Sequence, residues 1–338
     1  MATRGRIGFG TLVAALSLPA AVAHAGVAGV TVTDAAGVEQ TVSAALSVRT
    51  LTPTIHLQLQ PNATQSYAVS VIGPNSAVAG EATCGLLQDG LPLSYRGNGV
   101  YNIVVQSYPT SSCSEQIGPT QTFSFTQASS VALTAPAAPV LLRDVNATGL
   151  RPITIPVRRV PGGTVEVRFA KDGALDGAGG ILGGGIRAGI DGAGTAASFT
   201  AKEPGSYVAV ARQSVDAFST PWSAPAIVKL VAPFDLAKLT YPDTGGPVYQ
   251  VRGVVREPAV AGETVTVMFA RGASGGSFGA AREVTVQGDG SFVTRFKAKS
   301  GPGRLKVSFR GNVLVTRGEQ VGGFTVRAGR LRVRRLLS

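Results

Sequence analysis

The residue types that carry most side-chain chemistry are scarce in this 338-residue chain, which has two cysteines, two histidines and one tryptophan. His24 falls in an apolar N-terminal stretch that reads as a cleaved leader, leaving His56 as the one imidazole beyond it. It sits in the alternating run "TIHLQLQ", on the parity of Thr54, Gln58 and Gln60, where a solvent-facing strand residue belongs. A Ser-His-Asp or Cys-His centre would have to use it, and metal sites made of several His or Cys ligands are excluded by count. Cys84 and Cys113 lack CxxC spacing. An even pair in a secreted chain is expected to form a structural disulfide. Closing that loop is worth about 3–4 kcal/mol on the chain-entropy account.

Paired carboxylates need only Asp and Glu, so composition leaves them open. The 19 acidic residues are nevertheless scattered, with no two in a catalytic pattern. The segment "KDGALDGAGGILGGGIRAGIDGAGTA" (171–196) is rich in glycine but has neither GxGxxG nor the Lys-Ser/Thr of a phosphate loop. Asp172, Asp176 and Asp191 could supply calcium oxygens, yet their spacing matches no EF-hand. A connection between strands is the expectation there, and Asp289-Gly290 in "QGDGSF" reads as a hairpin turn. No catalytic residue, cofactor or metal is expected. "NAT" at Asn62 and at Asn146 satisfies the N-glycosylation rule.

Charge is the asymmetric feature. Residues 26–137 carry two basic and five acidic side chains, a net of −3; residues 138–232 carry ten and seven, a net of +3. Residues 233–338 carry seventeen and seven, a net of +10. The chain ends in "VRAGRLRVRRLLS", with Arg327, Arg330, Arg332, Arg334 and Arg335. Such a gradient favours anionic partners at that end, such as acidic wall polymers or lipid headgroups. The competing account is that alternating strands put arginines on a wet face, as "TRFKAK" does. Specific nucleic-acid binding is not expected, because no aromatic stacking platforms are interleaved with the basic residues.

These residues must be positioned by strands. Arg4 and Arg6, an apolar stretch and "AHA" ending at Ala25 read as a secretory signal peptide over 1–25. No later segment has the length of a transmembrane helix, so the mature chain is expected to be secreted, either extracellular or associated with the envelope. The remainder alternates with period two between Gly, Pro, Asn and Asp punctuation, which predicts an all-β chain. One unit recurs. "SYAVSV", "TVEVRF" and "TVTVMF" place Tyr67/Val69/Val71, Val165/Val167/Phe169 and Val265/Val267/Phe269 on one strand face, at offsets of 98 and 100 residues. A Gly-x-Tyr/Leu motif before an alternating strand recurs as Gly99/Tyr101, Gly205/Tyr207 and Gly303/Leu305. Ala-Pro around Pro136 and Pro233 marks the boundaries, giving units at 26–136, 137–232 and 233–328 and a basic tail at 329–338.

The Gly-x-Tyr motif resembles the late-strand signature of immunoglobulin-like and fibronectin type III domains. The resemblance implies three tandem β-sandwiches in which the tyrosine hydroxyl bonds back to nearby backbone at the corner. Tyr101 and Tyr207 match it, whereas Leu305 would keep the burial without the bond. "STPWSAP" is similar to the run into a last fibronectin-type strand, which would pack Trp222 against the sandwich instead of leaving it as a sugar platform. The positions of the family's inter-sheet cysteine are Ile103, Ala209 and Val307, so Cys84 and Cys113 should staple periphery. These sandwiches host many roles. The expectation is a non-enzymatic structural or adhesive protein outside the cell, contacting an anionic envelope polymer or another extracellular protein. The alternatives are a carbohydrate- or cell-wall-binding module and an accessory or inhibitory partner of a secreted enzyme.

Overall fold

The computed structural model describes residues 27–337, apart from 35, 60–65, 86–88, 110–112, 117–118, 243–247 and 328–329. The expected signal peptide and Asn62 therefore lie outside the described residues. Among these, regular structure is β-strand, with two single-turn 3-10 segments at Pro74–Ser76 and Pro258–Val260. The chain divides into two compact units: one holds 54–93, 100–125 and residues up to 46, and the other holds 47–53, 94–99 and everything from 126.

In the first unit, one sheet runs in the order Glu39–Thr41, Val27–Thr33, Thr54–Leu59, Leu91–Pro92. The other runs Gln121–Gln127, Gly99–Tyr108, Ser66–Ile72, Val78–Gly85. Period-two alternation sends one row inward from each, so Val30, Val32 and Ile55 are buried from the first sheet and Val69, Val71, Ile103 and Val105 from the second.

The larger unit holds two further sheet pairs. In the second sandwich, Ala132–Leu133, Ile153–Arg158, Ala196–Phe199 and Gly189–Ile190 form one sheet. Val140–Leu141, Ala226–Val231, Gly205–Val215, Thr164–Lys171 and Ile186–Arg187 form the other. Ala132–Leu133 pairs antiparallel and Val140–Leu141 parallel, so the entering chain switches sheets at its start. The third sandwich sets Leu236–Thr240, Val248–Val255 and Ser291–Lys297 against Arg282–Thr285, Thr264–Arg271, Gly301–Phe309, Gly318–Arg327 and Arg330–Leu337. Each of these sheet pairs has the two-layer, mainly antiparallel order of an Ig/FnIII-like β-sandwich.

Two sequence expectations change here. The first is the alignment of the third copy. Phe169 pairs with Ala209 and Phe269 with Leu305, so by register Leu305 matches Ala209 and Gly303 matches Tyr207. The turn glycine of the third copy is accordingly Gly301, with φ 122, beside Gly99 at 143 and Gly205 at 147. Gly303 serves a different purpose: the Phe324 ring fills the space that its Cβ would need.

The second is the basic tail. Arg330–Leu337 is a strand, paired antiparallel with Gly318–Arg327 at the edge of the sheet. Alternation drives this, since Leu331 opposite Val326 packs on the core while Arg332 opposite Thr325 is exposed.

Candidate functional site

The third sandwich gathers basic and aromatic side chains at one sheet edge. Phe269, from Thr264–Arg271, and Phe296, from Ser291–Lys297, stack with centroids 3.9 Å apart and planes 15° apart. Strand alternation turns Phe296 inward and its neighbours Arg295 and Lys297 outward, so the cations flank a buried ring. Arg282 from the edge strand donates to the Arg295 carbonyl. With Gly279, these residues line an open cavity of about 350 Å³. Among the described residues, no carboxylate forms an ion pair with Arg282, Arg295 or Lys297.

The outer face of the longer sheet continues the charge. Arg304 and Lys306 both lie over the Phe278 ring, each 5.1 Å from its centroid. Lys306 also pairs with Glu319 at 3.2 Å. Across the sheet, Arg327 stands opposite Arg330, and Arg332 is exposed two pairs further on. The strand also contains Arg334 and Arg335, which places all five sequence-predicted arginines on or next to one hairpin. Sequence reasoning missed the edge cavity. Its signal was present in "TRFKAK", but alternating Arg and Lys look the same whether or not the intervening Phe meets a second ring.

The second sandwich has an equivalent edge. Phe169 and Phe199 pack with centroids 3.9 Å apart and planes tilted by 31°, beside an open cavity of about 320 Å³ that Arg187 and Ile186 also line. Here the charge is compensated. Glu166 reaches Arg168 at 2.7 Å, Arg187 at 3.2 Å and Arg212 at 2.8 Å. Burial pushes the Glu166 carboxyl up, but hydrogen bonds from Arg168 and Arg212, backed by their charges, hold it below the ordinary glutamate value. Arg212 lies 4.5 Å over the Trp222 ring, and Gly180 of the glycine segment closes against that indole.

The remaining sequence candidates serve the scaffold. Tyr207 Oη donates to the Glu203 carbonyl at 3.0 Å, the corner bond that the resemblance implied. Tyr101 is buried and stacks on Phe125 at 5.3 Å. Cys84 and Cys113 are bonded, with Cα atoms 5.7 Å apart, tying the edge strand Val78–Gly85 to the segment beyond Gly99–Tyr108. Asp176 caps its own turn through the amides of Ala178 and Gly180, and Asp191 does so through Thr195 and Ala196. Their oxygens are engaged locally and are not brought together. His56 is half-buried rather than open to solvent, because the turn at Gly90 packs on its ring.

These sheet orders define the class: tandem Ig/FnIII-like β-sandwiches. No family model matches the sequence, and no curated protein does. Among solved structures, the chain is similar to a biofilm associated protein BSP domain at 16% identity and a TM-score of 0.19. That match covers 55% of this chain and 28% of the other. It is also similar to the FN1–FN3 domains of chicken CNTN1, at 11% identity and a TM-score of 0.21, over 86% of this chain and 94% of that one.

Proposed function

We propose that the protein is a secreted, non-enzymatic structural or adhesive component of the cell exterior whose third sandwich contacts anionic envelope polymers. The carrying observation is the aromatic-floored edge cavity, flanked by three cations without a carboxylate partner among the described residues. A repeating anion can run from this edge across the Arg304/Lys306 row to the terminal strand, meeting an excess of positive charge, with Glu319 compensating Lys306 on the way. Location outside the cell is supported by the basic, apolar, "AHA"-terminated start and by the disulfide, since such bonds persist in oxidising compartments. A neutral-sugar platform is less well supported, because Trp222 carries Arg212 on its ring.

The test is retention of the full chain on polygalacturonate beads and on dextran beads at rising salt. Retention on the anionic beads should fall by roughly tenfold or more as salt shortens the screening length to a few ångströms. The pair Arg295→Glu/Lys297→Glu should weaken retention more than Arg330→Glu/Arg332→Glu, if the cavity is the centre and the strand its extension. Equal retention on both beads, insensitive to salt, defeats the proposal.

A further inference from the structure

We infer that the second and third sandwiches are welded into one cooperatively folding body by a buried ion cluster where the chain passes between them. The last strand of the second sandwich ends at Val231 and the first strand of the third begins at Leu236. The four residues between are buried, with Ala232 and Asp235 at 0% exposure and Phe234 at 2%. A linker that permits reorientation is solvated, and this one is core.

Its backbone is held by the third sandwich. The Ala232 amide donates to the Leu314 carbonyl and the Thr316 amide donates to the Ala232 carbonyl, both at 2.9 Å. From the other side, Leu142 donates to Val231 at 3.0 Å. One hydrophobic cluster runs without a break from Ile153 and Ile155 through Leu230, Phe234 and Val260 to Phe292 and Phe324. Unfolding either sandwich alone would therefore expose apolar surface belonging to the other.

Apolar contact would let the two bodies slide, and the ions fix the angle. The Asp235 carboxylate accepts from Arg143 Nη1 at 2.6 Å and Nη2 at 3.3 Å, from Arg256 Nε at 3.1 Å and from the Asn146 amide at 3.1 Å. Arg143, itself 6% exposed, also reaches Glu257 at 2.8 Å. Gln320 completes the set: its Nε2 donates to Asn146 Oδ1 at 2.6 Å, and its Oε1 accepts from the Leu236 amide at 2.7 Å. Arg143 and Asn146 come from the second sandwich, Arg256, Glu257 and Gln320 from the third, and Asp235 from between. Two positive and two negative charges balance. Such a cluster adds modest net stability, but a displaced arrangement that kept the site dry would leave a charge unpaired.

The sole tryptophan, Trp222, reports on the second sandwich, and Phe292 is fully buried in the third. Urea unfolding of the full chain is followed by Trp222 fluorescence and by far-ultraviolet circular dichroism. Phe292→Ala should lower the Trp222 midpoint, and Asp235→Ala should shrink that transmitted shift by at least about half if the ion cluster is the coupling element. A Phe292→Ala chain in which both sandwiches are unfolded is the same result at larger amplitude, and the milder Val267→Ala then measures the shift. An unchanged Trp222 midpoint, with an earlier dichroism transition for the third sandwich, overturns the inference.

Discussion

In the second sandwich, an aromatic cluster of Phe169, Phe199 and Tyr207 fills the space under the late strand. In the third, the same space holds Phe269, Phe296 and Phe324, and the third ring comes from the neighbouring strand, over Gly303. Packing demands a ring at that place and is indifferent to which strand supplies it. The two solutions differ in their polar consequences. Tyr207 brings a hydroxyl that ties the corner to Glu203, and Phe324 brings none. The edges diverge in the same way: Glu166 compensates the cations of the second, while those of the third face solvent.

The largest expected effect that would break this comparison is at Gly303. Gly303→Ala should destabilise the chain by about 1–3 kcal/mol, because a new methyl overpacks against the Phe324 ring. Urea midpoints measure it, and Phe324→Leu in the same chain should recover part of the loss. No change would mean that the ring does not need the gap.

Tyr207→Phe should cost less, about 0.5–1.5 kcal/mol, since the ring stays and one hydrogen bond goes. A neutral result would make the two corners equivalent in energy as well as in shape.

The smallest effect concerns acid. Glu166 is held below its ordinary value of 4.5, so its contribution is complete above that pH and is lost as pH falls through the lowered folded value. Glu166→Gln should remove this part of the acid sensitivity from the Trp222 transition while leaving the rest of the pH profile. An unaltered acid slope would show that the three arginines do not depend on this carboxylate.

Much of the fold was legible because strands announce themselves locally. The alternation in "TVEVRF" and "TVTVMF" and the Gly-x-Tyr corner each need only a few adjacent residues to be read, and the disulfide needed only two cysteines. The third corner misled because Leu305 matches the tyrosine in spacing, whereas register shows that Gly303 occupies that place. The terminal arginines looked like a tail, although the intervening Leu331 and Val333 were already a strand pattern. The edge cavity and the ion cluster had no local signature. Arg143 and Asp235 are 92 residues apart, and nothing near either residue marks it as buried.

By itself, the sequence determined an all-β chain of repeating sandwich units, its charge gradient and its paired cysteines, because alternation, composition and count are properties of neighbours along the chain. Only the tertiary structure decided that Phe324 stands in for a tyrosine, that Phe269 and Phe296 floor a basic edge, and that Asp235 sits dry between two sandwiches. Each of these depends on which distant side chains share a volume, and that is fixed when the sheets pack.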